Sequence, residues 1–174
     1  MNLYHSNYSA KAFYIHQLDS LSRLKQAALI VQKAIYTCKA DHCGCEETRK
    51  VWHSNVLTHV LTSKHVYYST DAVERNDDNS SIFAVASMTA DGELTTLYVD
   101  PAFKLFGHGK AMLQFMEGIA RDAEIPVVDL ESSATARPFY MRYGYREILG
   151  MAPKRGAGKS WNFPMHKEID LALL

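Results

Sequence analysis

The sequence predicts one α/β domain, built on a mixed and mostly antiparallel sheet of about seven strands with about four helices. Three observations predict it. Short runs of branched and aromatic residues alternate with segments of helical period. Two of these runs, Ile82–Thr89 and Glu93–Val99, flank Asp91-Gly92, a tight-turn dipeptide that joins strands as an antiparallel hairpin. A long amphipathic segment then separates Glu93–Val99 from Ile125–Leu130, and a helix between two strands implies a parallel pair with a right-handed crossover. The 174 residues fit a single domain, 1–174, with room for a sizeable core.

Ala12–Leu18 reads as the first strand, and Asp19 or Ser20 as the N-cap of a first helix. Leu21, Leu24, Ala28, Val31 and Ile35 recur at spacings of three and four, which defines that helix and ends it near Cys38. Glu46–Leu61 reads as a second helix. Its two leading glutamates suit a helix N-terminus, and Trp52, Val56 and Val60 share one side. Trp52 is either core or the wall of a pocket. His65–Thr70 is a strand, and the polar run from Arg75 to Ser80 is a turn.

After the hairpin, Asp100-Pro101 ends the strand, because proline offers no donor and pushes its predecessor out of the helical region. Ala111, Met112, Phe115, Met116, Ile119 and Ala120 form the apolar face of a long helix. Ile125–Leu130 is a buried strand. Ala134–Tyr143 is helical, with Gly144 at the C′ position. Tyr145–Met151 and Trp161–Leu171 close the fold as strands, joined by the basic connection Lys154–Lys159.

Charge and cysteine content narrow the function classes. Nineteen basic and nineteen acidic residues cancel, whereas a protein that neutralises nucleic-acid phosphates carries a basic excess. No 18-residue window is apolar enough to span a membrane, and the N-terminus lacks the basic-then-apolar order of a secretory signal. A cytoplasmic protein is therefore expected, as a monomer or homodimer, with neither nucleic acid nor membrane as partner. The three cysteines all fall within Cys38–Cys45, where with His42 they form no disulfide framework. Zinc ligands usually come as pairs from two separated segments, so no metal is expected.

The richest chemistry lies where the long helix begins. Gly107-His108-Gly109 opens it, flanked by Lys104 and Lys110. Glycines there let a ligand approach the backbone, and free N–H groups at the positive end of the helix dipole favour an anion. A dinucleotide-binding fingerprint would need a third glycine where Met112 stands. Gly158-Lys159-Ser160 is not a P-loop, because Pro153 replaces the required glycine.

Lys104-x-x-Gly107-x-Gly109-Lys110-Ala111 resembles the (Arg/Gln)-x-x-Gly-x-(Gly/Ala) signature of the GNAT superfamily of acyl-CoA-dependent N-acetyltransferases, with Lys in the first position. Leu97-Tyr98-Val99-Asp100-Pro101 is similar to the strand ending that precedes this loop in the family. A second block, Ser133-Ala-Thr-Ala136-Arg137-Pro-Phe139-Tyr140-x-x-x-Gly144-Tyr145, resembles the family's (Asn/Ser)-x-x-Ala-x-x-Phe-Tyr-x-x-x-Gly-Phe element. The resemblance runs from about Ser81 to the C-terminus.

It implies a parallel central pair that splays apart, with the coenzyme in the gap. Acetyl-CoA is then the co-substrate. Its pyrophosphate would rest on the backbone N–H groups of Leu105, Phe106, Gly107, His108, Gly109, Lys110 and Ala111, beside Lys104. Its pantetheine arm would pair with the backbone of Leu97 and Val99, with Tyr98, Ser133 and Phe139 as further contacts, while Arg137 and Arg142 either reach the coenzyme phosphates or are solvated. Tyr140 matches the family's general acid: a phenol keeps its proton at neutral pH and can give it to a departing thiolate. Glu93 aligns by its distance from Val99 with the general base of the histone-acetylating branch, while Asp129, Glu131 or an ordered water chain are alternatives. The function implied is acetyl transfer to a primary amine by direct attack in a ternary complex, on an acceptor that is a small molecule. The alternatives are a different acyl group, an O-acceptor, or a catalytically silent acyl-CoA sensor.

Overall fold

The computed structural model describes residues 3–4, 13–38, 46–71, 80–155 and 161–173. The expected cysteine-rich segment at 39–45, the polar turn at 72–79, the basic connection at 156–160 and the side chain of Trp52 lie outside the described residues. In chain order the elements are β1 (Leu3–Tyr4), β2 (Phe13–Gln17), α1 (Leu21–Thr37), α2 (Glu46–Thr62), β3 (His65–Thr70), β4 (Ile82–Met88) and β5 (Leu94–Val99). A 3-10 turn at Pro101–Phe103 then leads to α3 (His108–Asp122), β6 (Val127–Ser133), α4 (Arg137–Arg142), β7 (Arg146–Glu147), β8 (Lys154–Arg155) and β9 (Trp161–Glu168). A second 3-10 turn spans Leu171–Leu173.

Hydrogen bonding divides the strands into two antiparallel ladders. One runs β1-β2-β3-β4-β5. The other runs β6-β9-β7, with β8 also on β9. They meet at a single parallel bridge, Glu93 to Asp129, supported by the Asp129 amide on the Gly92 carbonyl at 3.2 Å. Beyond that bridge β5 and β6 part, so the expected parallel pair is joined at one end and open at the other. Gly92 is what allows the join. Its φ is +99°, and a Cβ there would stand 2.8 Å from the Val127 carbonyl oxygen and 2.7 Å from an Ile125 methyl. A residue with a side chain fits neither that backbone nor that gap.

The main core lies between the sheets and α3. Ala111, Met112, Leu113, Phe115, Met116 and Ala120 of α3 pack on Ala84, Ala86 and Met88 of β4 and on Val128 and Leu130 of β6. On the other face of the first ladder, Ala27, Val31 and Ile35 of α1 meet Val56 and Val85.

Three expectations are corrected. In α1, Leu21 is 69% exposed although the spacing puts it on the apolar side, while Val31 and Ile35 are buried as that spacing predicts and Arg23, Ala27, Ile30 and Ala34 are buried with them. The buried arginine is the departure that local spacing does not announce. Arg23 donates through Nη1 to the Ser80 carbonyl and to Gln26, each at 2.8 Å, and through Nη2 to the Ser80 hydroxyl at 2.6 Å. Its guanidinium lies 5.1 Å from the centre of the Tyr68 ring, so the buried charge is well engaged.

Second, α4 is shorter than expected, because residues 134–136 form a turn tied by the Ala136 amide to the Ser133 hydroxyl at 3.2 Å. Its end is as expected: Gly144 at φ +91° closes a Schellman motif, with Gly144 N–H on the Met141 carbonyl and Tyr145 N–H on the Tyr140 carbonyl. Third, the strand expected over Tyr145–Met151 is only Arg146–Glu147, because a turn at Leu149-Gly150 takes the chain off the ladder.

Candidate active site

Asp100 fixes the loop that leaves β5. Its amide bonds the Phe83 carbonyl at 2.8 Å, its Oδ1 accepts from Ala102 N–H at 2.9 Å, and its Oδ2 meets Lys33 Nζ of α1 at 3.1 Å. The chain then passes two left-handed residues, Leu105 at φ 70° and Gly107 at φ 89°, before α3 begins. Left-handed geometry costs a branched side chain about 1 kcal/mol or more. Leu105 bears it with its side chain fully in solvent. The left-handed residue directly before a helical one leaves consecutive N–H groups aimed outward, a shape suited to an anion. No side chain caps α3, so its first N–H groups keep that capacity.

This loop is one wall of a cavity of about 560 Å³. Leu97, Tyr98 and Val99 of β5 form its floor; Lys104, Leu105, Gly107, Gly109 and Lys110 form its rim; Ser133, Phe139, Tyr140, Arg142 and Tyr143 close the far side. Its charged lining residues are Lys104, Lys110 and Arg142. Gly109 is closely packed from within: a Cβ would touch Val99 at 3.4 Å and Phe139 at 3.6 Å.

A second cavity of about 480 Å³ lies on the other side of the same gap. It is walled by Ala34 and Ile35 of α1 and its C-cap Cys38, Asn55, Val56 and His59 of α2, Glu93 to Tyr98, Glu131 to Ser133, and Asn162 of β9. Its charged lining residues are Glu93 and Glu131. Ala34, Cys38, Leu97, Tyr98, Ser133, Ala136 and Tyr140 line both cavities.

Tyr140 therefore sits where the two meet. It is 8% exposed, packed edge-on against Phe139 and Tyr145 with ring centres 5.2 and 5.6 Å away. Burial, reinforced by the neighbouring Tyr98, pushes its hydroxyl well above the usual phenol range. It stays protonated throughout the physiological range.

The residues singled out in sequence fall into three groups. Leu97, Tyr98, Val99, Lys104, Leu105, Gly107, Gly109, Lys110, Ser133, Phe139 and Tyr140 all line the first cavity, and Glu93 lines the second. Phe106 and Ala111 bracket the helix opening, Phe106 exposed and Ala111 in the core. The His108 ring turns inward between Phe83 and Phe103, where burial lowers its pKa, leaving its backbone to the loop. Arg137 faces elsewhere: it pairs with Glu147 and its guanidinium stacks 5.0 Å over Phe163. Arg142, the other arginine expected at the phosphates and five residues further along α4, lines the cavity. Cys38, Asn55, His59, Thr96 and Asn162 were not singled out as site residues, although the spacing of Asn55 and His59 by four on α2 is a one-face signal. Among the described residues no group of three His, Cys, Asp or Glu could hold a metal, and no helix is long and apolar enough to cross a membrane.

The fold is found in solved acetyltransferases. A GCN5-related N-acetyltransferase from Rhodopseudomonas palustris superposes with TM-score 0.72 at 18% identity, covering 94% of this chain and 99% of that one. The paia N-acetyltransferase of Thermoplasma acidophilum, solved in complex with coenzyme A, gives 0.65 at 18% identity over 90% and 98%. The ribosomal-protein-S18-alanine N-acetyltransferase of Escherichia coli gives 0.58 at 20% identity over 90% and 94%. No curated protein sequence matches the chain at a significant level. The sequence model of the acetyltransferase (GNAT) domain matches residues 37–169, more than the stretch from Ser81 on which the motifs rest, and with this match the chain belongs to the GNAT acetyltransferase family.

Proposed function

We propose that this protein is a cytoplasmic acetyl-CoA-dependent N-acetyltransferase acting on small primary amines, organised as one catalytic domain over 1–174. The observation that carries the reading is the charge on the two walls of the gap between β5 and β6. Among the described residues the glycine-turn side carries three cations, Lys104, Lys110 and Arg142, and the α1–α2 side carries two carboxylates, Glu93 and Glu131, with the imidazole of His59. A phosphate-rich donor suits the first and an amine suits the second. The overall charge of zero favours small-molecule partners over nucleic acid.

The residues fit coenzyme A. The uncapped N–H groups from Phe106 to Lys110 suit its pyrophosphate, whereas the expected Ala111 N–H is taken by the Gly107 carbonyl at 3.0 Å; Lys104, Lys110 and Arg142 are there for the phosphate charge. The edge of β5 that faces the gap has no strand partner among the described residues beyond Glu93, so its backbone groups are available to the amide-bearing arm. When bound, the coenzyme supplies an acyl thioester. The Val99 N–H would polarise its carbonyl. Glu93 would take the proton of the incoming amine, directly or through water. Nitrogen then bonds to the carbonyl carbon, the carbon–sulfur bond breaks, and the Tyr140 hydroxyl gives its proton to the sulfur. Holding both reactants in one gap is worth roughly 7 kcal/mol or more of the barrier.

Thiol release from acetyl-CoA across a panel of primary amines tests the reading, with the product followed by mass. Amine-dependent release and an N-acetylated product are expected. Binding of acetyl-CoA without amine-dependent release would identify an acyl-CoA-binding module instead.

A further inference from the structure

One carboxylate reaches from the end of β5 to α1. Asp100 follows directly on Val99, and its side chain is 8% exposed. Its two oxygens serve different elements. Oδ1 accepts from the Ala102 N–H at 2.9 Å and so caps the 3-10 turn Pro101–Phe103. Oδ2 meets Lys33 Nζ at 3.1 Å, 67 positions away on α1. A carboxylate this deeply buried needs N–H groups or a cation to offset its lost hydration. Lys33 supplies the cation, from a side chain that is otherwise 61% exposed.

Each side of this pair leads to a cavity. The capped turn ends in Phe103, which lines the cationic cavity and packs on Phe83 at 4.5 Å and edge-on to His108 at 6.2 Å, ring centre to ring centre. His108 is the first residue of α3, between the two glycines. On the other side, Lys33 is followed by Ala34, and Cys38 caps the helix; both line the two cavities. The Lys33–Asp100 pair thus links the glycine turn to the end of α1. The apolar packing of Val31 and Ile35, on Val56 and Val85, does not reach the turn.

We propose that Lys33 is a positioning residue for the transfer: through Asp100 it ties the last two turns of α1 to the coenzyme loop, so that filling the loop orders the helix that borders both cavities. This rests on the coenzyme A reading of the cationic cavity. A ligand on the turn restricts the residues that Asp100 caps, and the ion pair carries that restriction to α1.

Hydrogen exchange with and without saturating coenzyme A is the test. A merely structural pair alters both states alike and leaves the difference between them unchanged. In the native protein, coenzyme A should slow exchange over residues 30–37 of α1 by about fivefold or more. Lys33→Met keeps an apolar chain and removes the charge. It should cut that slowing to below about twofold, keep the slowing over residues 104–111, and change the Kd for coenzyme A by less than about threefold. Lys33→Arg should restore the response of α1. Asp100→Asn keeps an acceptor for Ala102 and should match Lys33→Met, with no further loss in the double variant. Asp100→Ala removes the cap as well and should weaken coenzyme A about tenfold. No slowing in α1 of the native protein overturns the proposal. Slowing that survives Lys33→Met overturns it too, because contact with Ala34 and Cys38 would then suffice. Loss of slowing over residues 104–111 in Lys33→Met would make the pair a prop of the turn rather than a link, and also overturns it. Failure of coenzyme A to bind the native protein overturns the transferase reading beneath it as well.

Discussion

The two cavities that meet at Tyr140 are built in opposite ways. The cationic one comes largely from two short stretches: the turn from Leu97 to Lys110 and the segment from Ser133 to Tyr143. The acidic one is drawn from α1, α2, β5, β6 and β9, with Ala34 and Asn162 at its extremes in the chain. A site made of contiguous stretches around a glycine turn is constrained by local geometry, by glycine and left-handed φ above all. A site made of side chains from five elements can be changed one residue at a time without touching the fold. The difference separates what a family shares from what distinguishes one member.

The comparison can be broken most sharply at Gly109. Gly109→Ala adds a methyl that makes ordinary contact with Phe139 and a close one with Val99, and should fold. Gly109→Val adds branches against Val99 and Phe139, which line the cavity, and should weaken acetyl-CoA binding by about a hundredfold or more, about 2.7 kcal/mol, with Gly109→Ala as the milder variant and circular dichroism as the check on folding. Retained affinity would move the anion site away from the turn.

Tyr140→Phe, at the junction, keeps the ring and removes the hydroxyl. Turnover should fall by roughly a hundredfold, the lower range for a positioned acid, because a thiolate is a tolerable leaving group. Acetyl-CoA affinity should hardly move. A loss below about threefold would return Tyr140 to a packing role. Because burial raises its pKa above that of a free phenol, turnover should show no alkaline loss from this group between pH 7 and about 9.5. The same shift has a stability sign. The folded pKa lies above the unfolded one, so the contribution is complete below about pH 10 and declines as pH rises beyond it. Alkaline unfolding should therefore begin earlier in the native protein than in Tyr140→Phe.

Gly92→Ala tests the closed end of the gap. Its Cβ has no place between Ile125 and the Val127 carbonyl, and its φ is unsuited to alanine. A loss of about 2 kcal/mol in urea unfolding is expected. A neutral result would mean that β5 and β6 do not need this join.

The smallest effect separates two neighbouring arginines. Arg142→Ala should weaken acetyl-CoA about threefold to tenfold, with the difference shrinking at high salt. Arg137→Ala should leave binding unchanged, since that side chain is turned to Glu147 and Phe163. The reverse pattern would contradict the orientation of α4.

Legibility in the sequence divides along the same line. The hairpin at Asp91-Gly92, the strand ending at Pro101 and the glycine opening of α3 each rest on a backbone requirement that few residues meet, and each lies where it was expected. The spacing in α1 was legible at Val31 and Ile35, which are buried, but nothing in it announces that Arg23 is inside as well, meeting Ser80 57 positions away. Arg137 and Arg142 lie at opposite ends of a six-residue helix, so only the tertiary position of α4 says which one faces the cavity. Thr96 and Asn162 carried no motif at all, and only the packed structure puts them in the wall of the second cavity.

The central claim is that the gap between β5 and β6 is a coenzyme A site, and a calorimetric titration with acetyl-CoA tests it most directly. One site per chain is expected and, at a hundredfold excess over Kd, about 2.7 kcal/mol of added stability, seen as a rise in Tm of roughly 5–10 °C. NAD and ATP should give neither heat nor shift. Saturating acetyl-CoA with no heat and no change in Tm, or a response to NAD or ATP in its place, would contradict the claim.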